Sequence, residues 1–285
     1  MKPLLVLGAT GFIGRHVASR AGDREVVTTS RRPGAADLRL DLLDGDALRE
    51  ALRVVRPHAV INCAGAVAGS VSCLVEGNVT TVATLAEVVG DTRVVHLGSS
   101  AEYGRVTEGV PITERDEPQP VGAYGVTKLA GTALARRLPN GVVLRVFNPF
   151  GPGSPRTSLM GEVATQLGSG ETEIRTGDLG AVRDYVDVRD VADAAIAAAE
   201  AEVTGVLNIG SGTATLSRDL VTDLVSLVPG RTLAEVRSGS ERSAAVPWHR
   251  ADITAATAAL GWKPLYPRTA SVGDLWRSWC EEEGC

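Results

Sequence analysis

Four apolar residues, Leu4-Leu5-Val6-Leu7, run straight into Gly8-Ala9-Thr10-Gly11-Phe12-Ile13-Gly14, and an amphipathic stretch to Ala21 follows. A β-branched or leucine-rich run, a glycine turn and a helical period in that order describe a strand feeding a helix through a tight bend. Residues without a Cβ let the backbone bend sharply and let an anion approach the helix N-terminus, where unpaired amides and the dipole favour negative charge. The G-x-x-G-x-x-G spacing in this strand-to-helix context is that of a dinucleotide pyrophosphate site, and Gly8, Thr10, Gly11, Phe12, Ile13 and Gly14 are its candidate residues. Because no small-residue cleavage site follows, Met1 to Leu7 reads as a first strand and not as a leader.

The same alternation continues. Strands are expected at Glu25–Thr29, Leu38–Leu40, Ala59–Asn62, Arg93–Leu97 and Val142–Phe147. Helices are expected near Asp46–Val55, Cys73–Val89 and Tyr124–Leu138. This predicts an α/β fold: a Rossmann-type doubly wound parallel sheet. After Asn148, five prolines and glycines crowd into a loop (Pro149, Gly151, Pro152, Gly153, Pro155) and the rhythm changes. A helix at Ser158–Gly168, an alanine-rich helix at Val188–Ala201, a strand at Val206–Ile209 and another at Leu233–Arg237 follow. Residues 1–150 are therefore assigned to the dinucleotide-binding domain, which also receives about 183–210. Residues 151–182 and 211–285 form a smaller, interleaved C-terminal substrate lobe.

Composition removes several classes. The net charge of −5 carries no basic stripe for nucleic acid. No apolar run is long enough for a membrane helix. Cys63, Cys73, Cys280 and Cys285 lack metal-ligand spacing, and His16 (a surface position), His58, His96 (a satisfied core histidine) and His249 lack partners at such spacing, so no metal is assigned. Trp248, Trp276 and Trp279 read as packing residues. The expected setting is a reducing cytoplasm.

At the end of the second strand stands Thr28-Thr29-Ser30-Arg31-Arg32, with no acid to accept from a ribose. Ser30, Arg31 and Arg32 suit a 2′-phosphate, because guanidinium groups pair with it and hydroxyls donate to it. NADP(H) is the expected cofactor, with NAD(H) as the alternative. Tyr124 and Lys128, four apart, share one helix face. A free phenol titrates near pH ~10. A nearby ammonium lowers that value and makes the phenol a usable acid–base group, with Ser99 or Ser100 available to hold a carbonyl oxygen.

These motifs resemble the extended short-chain dehydrogenases/reductases of the nucleotide-sugar epimerase/dehydratase group, in a pattern similar to reductases of NDP-4-keto-6-deoxyhexoses. The resemblance runs nearly end to end. It rests on the glycine turn, Asp41-Leu42, Asn62-Cys63-Ala64-Gly65, Asn78, Gly98-Ser99-Ser100-Ala101-Glu102-Tyr103-Gly104, Tyr124 with Lys128, the segment from Leu144 to Gly153, Arg183-Asp184-Tyr185-Val186-Asp187-Val188 and Leu260-Gly261-Trp262-Lys263-Pro264. It implies that Asp41 and Leu42 meet the adenine, and that Cys63, Ala64 and Gly65 flank the phosphates and ribose. Asn148, Arg183 and Arg242 would hold a nucleotide-sugar diphosphate, with Ala245 standing where the family usually has an acid. Counting back from Tyr103-Gly104 selects Ser99 as the catalytic hydroxyl and is the preferred alignment; a one-residue gap after Glu102 selects Ser100. Glu102 is carried as a substrate contact only under that gap, with a structural role favoured. The implied activity is NADPH-dependent reduction of the 4-keto group of a nucleotide-linked 6-deoxyhexose. The alternatives are an epimerase or dehydratase that retains its cofactor, a reductase of a non-nucleotide ketone, or a non-catalytic NADP(H) sensor. A homodimer through the Cys73–Val89 and Tyr124–Leu138 helices is the partner the resemblance suggests.

Overall fold

The structure is a computed structural model and describes residues 2–236 and 246–283. The first half of the chain runs β1 (Leu4–Leu7), α1 (Phe12–Arg20), β2 (Val26–Ser30), β3 (Leu38–Arg39), α2 (Gly45–Val55), β4 (Ala59–Asn62), α3 (Val71–Val75), α4 (Thr81–Val88), β5 (Arg93–Ser99), α5 (Ala123–Ala135) and β6 (Gly141–Val146). It is followed by β7 (Pro149–Phe150), α6 (Leu159–Gly168), β8 (Glu173–Thr176), β9 (Val182–Arg183), β10 (Val186–Asp187), α7 (Val188–Glu200) and β11 (Gly205–Ile209). The described chain closes with β12 (Thr215–Leu216), α8 (Ser217–Val225), β13 (Thr232–Glu235), α9 (Thr254–Leu260) and α10 (Arg268–Glu283).

The main sheet has the order β11-β6-β5-β4-β1-β2-β3, and its paired strands are parallel throughout. β1 shows why. All four of its residues are buried, and alternate side chains feed opposite layers. Leu4 and Val6 join the core under α1 and α7, with Val17, Val191 and Ala195. Leu5 and Leu7 join the core under α2 and α4, with Leu48 and Leu85. Strand order reverses between β1 and β4, so the carboxyl ends of these strands open a crevice at the switch point.

A second core gathers Met160, Val163 and Leu167 of α6, Ile174 of β8, Leu220 and Leu224 of α8, and Leu275 and Trp279 of α10. Here β8 pairs with β13. Trp276 packs against this core, and Trp248 lies in a separate cluster with Tyr103, Ile112 and Phe147. Arg237, at the end of the expected 233–237 strand, lies outside the described residues.

One expected element is broken. The continuous helix predicted over Cys73–Val89 is α3 and α4 separated by a π-helical turn, Glu76–Thr80. The turn points Asn78 inward. Its side chain accepts from the Ala66 amide at 2.9 Å and donates to the Ala66 carbonyl at 2.8 Å and to Thr127 Oγ1 at 3.1 Å. A straight helix would lose this bridge between the loop after β4 and α5.

Candidate active site

The glycine turn forms one wall of a groove of about 460 Å³ at the switch point. Gly8 has φ +73°, and a Cβ there would stand 2.8 Å from the Ala64 backbone nitrogen. Gly14 serves packing: a Cβ there would meet the Gly8 carbonyl at 2.3 Å, so helix and strand approach only through glycine. Gly8, Thr10, Gly11, Ser30, Arg31, Arg32, Asp41, Leu42, Cys63, Ala64 and Gly65 all line the groove. Phe12, Ile13 and Gly14 do not line it. Phe12 instead meets His16 edge to face and lies under the Arg15 guanidinium. His16, expected on the surface, is half-buried and hydrogen-bonds the Pro152 carbonyl at 3.0 Å.

At the far end of the groove Ser30 Oγ accepts from the Arg32 amide at 3.1 Å, and the Arg31 and Arg32 side chains are exposed at the rim. The nearby acid Asp37 accepts from the amide and hydroxyl of Thr28 and is absent from the groove wall. Asp41 accepts from the Leu43 amide at 3.1 Å. A bare glycine bend with two guanidinium groups at one end fits a dinucleotide pyrophosphate with a phosphorylated ribose.

Next to the groove, a second cleft is lined by Ser100, Ala101, Gly104, Val121, Gly122, Tyr124, Gly125, Asn148, Arg183, Val246 and His249. Tyr124 opens α5 and Lys128 lies one turn later, only 6% exposed. The Lys128 ammonium donates to the Leu97 carbonyl and sits 3.9 Å from where a Cβ on Gly65 would be. Lys128 thus lies between the tyrosine's cleft and the dinucleotide groove. Burial lowers its pKa, and the charge of Glu102 and then of Cys63 opposes the fall. Burial likewise raises the Cys63 thiol to about 12, with Lys128 pulling the other way.

The two serines separate. Ser99 caps the short 3₁₀ turn Ser100–Glu102, its Oγ accepting from the Ala101 amide at 3.2 Å. Ser100 lines the cleft with Tyr124, and Ser99 does not. Glu102, favoured for a structural role with a substrate contact expected only under the one-residue gap, has its partners inside the protein. It is 0% exposed and accepts from the Ser99 amide at 2.8 Å, Thr132 Oγ1 at 3.0 Å and Arg145 Nε at 2.7 Å. Its oxygens are filled by internal donors, and it does not line the cleft.

Across the cleft, Asn148 Nδ2 donates to the Asp184 carbonyl at 2.9 Å and Arg183 Nη1 to the Val182 carbonyl at 2.9 Å. Asp184 is the hub beneath them, receiving the amides of Ser211, Gly212 and Ala251. Arg242 and Ala245 lie outside the described residues. Spacing did not single out His249. Its ring nitrogen Nε2 lies 2.8 Å from the Gly104 carbonyl, and its own amide donates to the Val182 carbonyl at 3.0 Å. Val121 and Val246, also unmarked by any motif, supply apolar wall. His96, expected to be satisfied, is so only in part: Nδ1 lies 3.3 Å from Asn62 Nδ2, while Nε2 has no hydrogen-bond partner. Among the described residues, no group of three or more His, Cys, Asp or Glu could hold a metal, and no helix is long and apolar enough to cross a membrane.

The chain matches the family model described as "NAD dependent epimerase/dehydratase family" over residues 4–210. It is 36% identical to dTDP-6-deoxy-L-talose 4-dehydrogenase (NAD(P)(+)) of Kitasatospora kifunensis, over 95% of this chain and 93% of that one. It is 28% identical to GDP-6-deoxy-D-mannose reductase of Pseudomonas aeruginosa, over 76% of this chain and 77% of the relative. The structure of RMD from Pseudomonas aeruginosa complexed with NADPH superposes with a TM-score of 0.86 at 25% identity, covering 99% of this chain and 100% of that one. Glycine groove, tyrosine–lysine helix and end-to-end likeness agree: the chain belongs to the NAD dependent epimerase/dehydratase family of extended short-chain dehydrogenases/reductases and is an NAD(P)-dependent oxidoreductase acting on nucleotide sugars.

Proposed function

We propose that the protein reduces the 4-keto group of a nucleotide-linked 6-deoxyhexose with NADPH. The observation that carries this reading is the cleft itself: a phenol and a serine hydroxyl on one wall, an asparagine and an arginine on another, and no acidic side chain among the described residues that line it. A dehydratase needs a further carboxyl to move a second proton. The nearest candidate, Glu102, is consumed by Arg145, Thr132 and the Ser99 amide. The apolar wall of Ala101, Val121 and Val246 suits a deoxygenated sugar carbon.

A nicotinamide held in the neighbouring groove would supply the hydride. The chain's residues do the rest. Ser100 donates to the carbonyl oxygen and holds it toward Tyr124, which delivers its phenolic proton as negative charge develops there. Lys128, held by the Leu97 carbonyl, keeps a positive charge beside the phenol. Arg183 and Asn148 grip the diphosphate, and Arg31 with Arg32 takes the 2′-phosphate, which favours NADPH over NADH.

Two relatives act at the same carbon by name. One is the 4-dehydrogenase above; the other is dTDP-L-rhamnose 4-epimerase of Burkholderia thailandensis, 35% identical over 60% of this chain. The second supports a 4-epimerase reading. Two panels with NADPH, one of NDP-4-keto-6-deoxyhexoses and one of the 4-hydroxy NDP-6-deoxyhexoses, read by absorbance and product stereochemistry, separate the two. Stoichiometric NADPH loss supports the reductase. Inversion at C4 of a 4-hydroxy sugar without NADPH loss, and no reduction of the 4-keto sugars, transfers the assignment to the epimerase.

A further inference from the structure

Glu102 is an acid with no access to substrate, yet it touches every element that builds the proton-transfer site. Its Oε1 accepts the amide of Ser99, the residue before the cleft hydroxyl Ser100. The same oxygen accepts Thr132 Oγ1. Tyr124, Lys128 and Thr132 stand four apart on α5, so the threonine belongs to the helix stripe that carries the phenol and the ammonium. Its Oε2 takes Arg145 Nε at 2.7 Å from β6, the strand that leads into Asn148. Arg145 in turn stacks over the Tyr103 ring at 4.5 Å, and the Tyr103 hydroxyl donates to Asn208 at 2.7 Å. A Cβ on Gly98 would stand 2.7 Å from Oε1, so glycine there lets the carboxylate pass under the strand end.

We propose that Glu102 is a positioning residue of the reaction: its carboxylate fixes the Ser100 turn against the Tyr124–Lys128 face of α5 and supplies a negative charge at Thr132, one helical turn from the lysine. The proposal rests on the reading that Tyr124 and Lys128 move the proton. A carboxylate used only for packing could be replaced by any isostere that keeps its hydrogen bonds. One that also holds charge could not, because a buried ammonium needs a counter-ion. The groups acting on Lys128 are few. Glu102 accepts from Thr132, one turn after Lys128 on α5, Cys63 comes from the end of β4, His96 from β5, and Tyr124 precedes it by one turn. Cys63 is pushed toward the neutral thiol and His96 toward the neutral ring, both by burial, whereas Glu102 forms an ion pair with Arg145 at 2.7 Å.

The sequence makes a direct test available, since the chain has three lysines: Lys2, Lys128 and Lys263. Protein grown with ¹³Cε-lysine would show their titrations separately, with Lys128→Met assigning the buried signal. In Glu102→Gln the Lys128 midpoint should move to lower pH while Lys2 and Lys263 stay in place. In the same variant kcat should fall roughly ten- to a hundredfold, with its alkaline limb moved to lower pH and with KM for the sugar little changed. Glu102→Gln leaves Arg145 uncompensated; should that variant not fold, Glu102→Gln/Arg145→Met removes both charges and should show the same Lys128 shift. A folded variant whose Lys128 titrates as in the wild type, or whose kcat and pH profile match the wild type, overturns the proposal. The lysine titration needs no substrate, so it is decided separately from the choice of sugar and from the role of Tyr124.

Discussion

Ser99 and Ser100 are neighbours with different surroundings: Ser99 Oγ accepts the Ala101 amide at 3.2 Å, and Ser100 faces the cleft beside Tyr124. The first hydroxyl is committed to ending a strand, the second to whatever enters the cleft. Ser100→Ala should therefore lower kcat by about ten- to a hundredfold with the melting temperature nearly unchanged. Ser99→Ala should cost about 1 kcal/mol of stability through the lost cap and retain most of the turnover. Steady-state rates and thermal melts on both variants check this, and the opposite pattern would give the catalytic role to Ser99.

Tyr124→Phe removes one oxygen from the cleft and leaves the ring in place. Turnover should fall by at least about a hundredfold, while NADPH affinity, read by fluorescence titration, should stay within about twofold. Near-normal turnover in this variant would remove the phenol from the mechanism.

Much of this site could be read in the sequence because its main residues are fixed by local rules. A glycine turn between a buried strand and a helix has one common geometry, and two residues four apart on a helix share a face whatever packs around them. What could not be read depended on contacts between distant segments. The π turn at Glu76–Thr80 exists because Asn78 reaches back to Ala66 and across to Thr127. Helical periodicity carries no trace of that. The division of labour between Ser99 and Ser100 depends on the turn through Glu102, whose partners Thr132 and Arg145 come from α5 and β6. His249 reaches the cleft because its segment pairs with Val182 and Ile112, contacts set by tertiary packing alone.

Arg31 stands at the rim of the groove beyond Ser30. If it meets the 2′-phosphate, Arg31→Ala should raise KM for NADPH by about tenfold, a value discounted for the exposed position. KM for NADH, which lacks that phosphate, should change little. The ratio of the two is the measurement. An equal rise for both cofactors would show that the guanidinium contributes only a general field.

His96 gives the protein an acid-sensitive core. The ring is buried, and burial first, then Lys128, holds its pKa well below the ordinary value. The unfolded chain takes up a proton as pH falls through about 6.5, whereas the folded chain does not until well below that. Over this window the unfolded state binds more protons, so stability must fall with acidification. One histidine contributes a slope approaching about 1.4 kcal/mol per pH unit. His96→Asn keeps an acceptor for Asn62 and lacks the titration. Urea unfolding of wild type and variant between pH 7.5 and pH 5, as experimental settings, should show the wild type losing stability more steeply on the acid side by about one proton's slope. The measured quantity is the difference in slope, whatever the absolute stability of the variant. Parallel curves would mean that His96 takes up its proton in the folded state as readily as in the unfolded one.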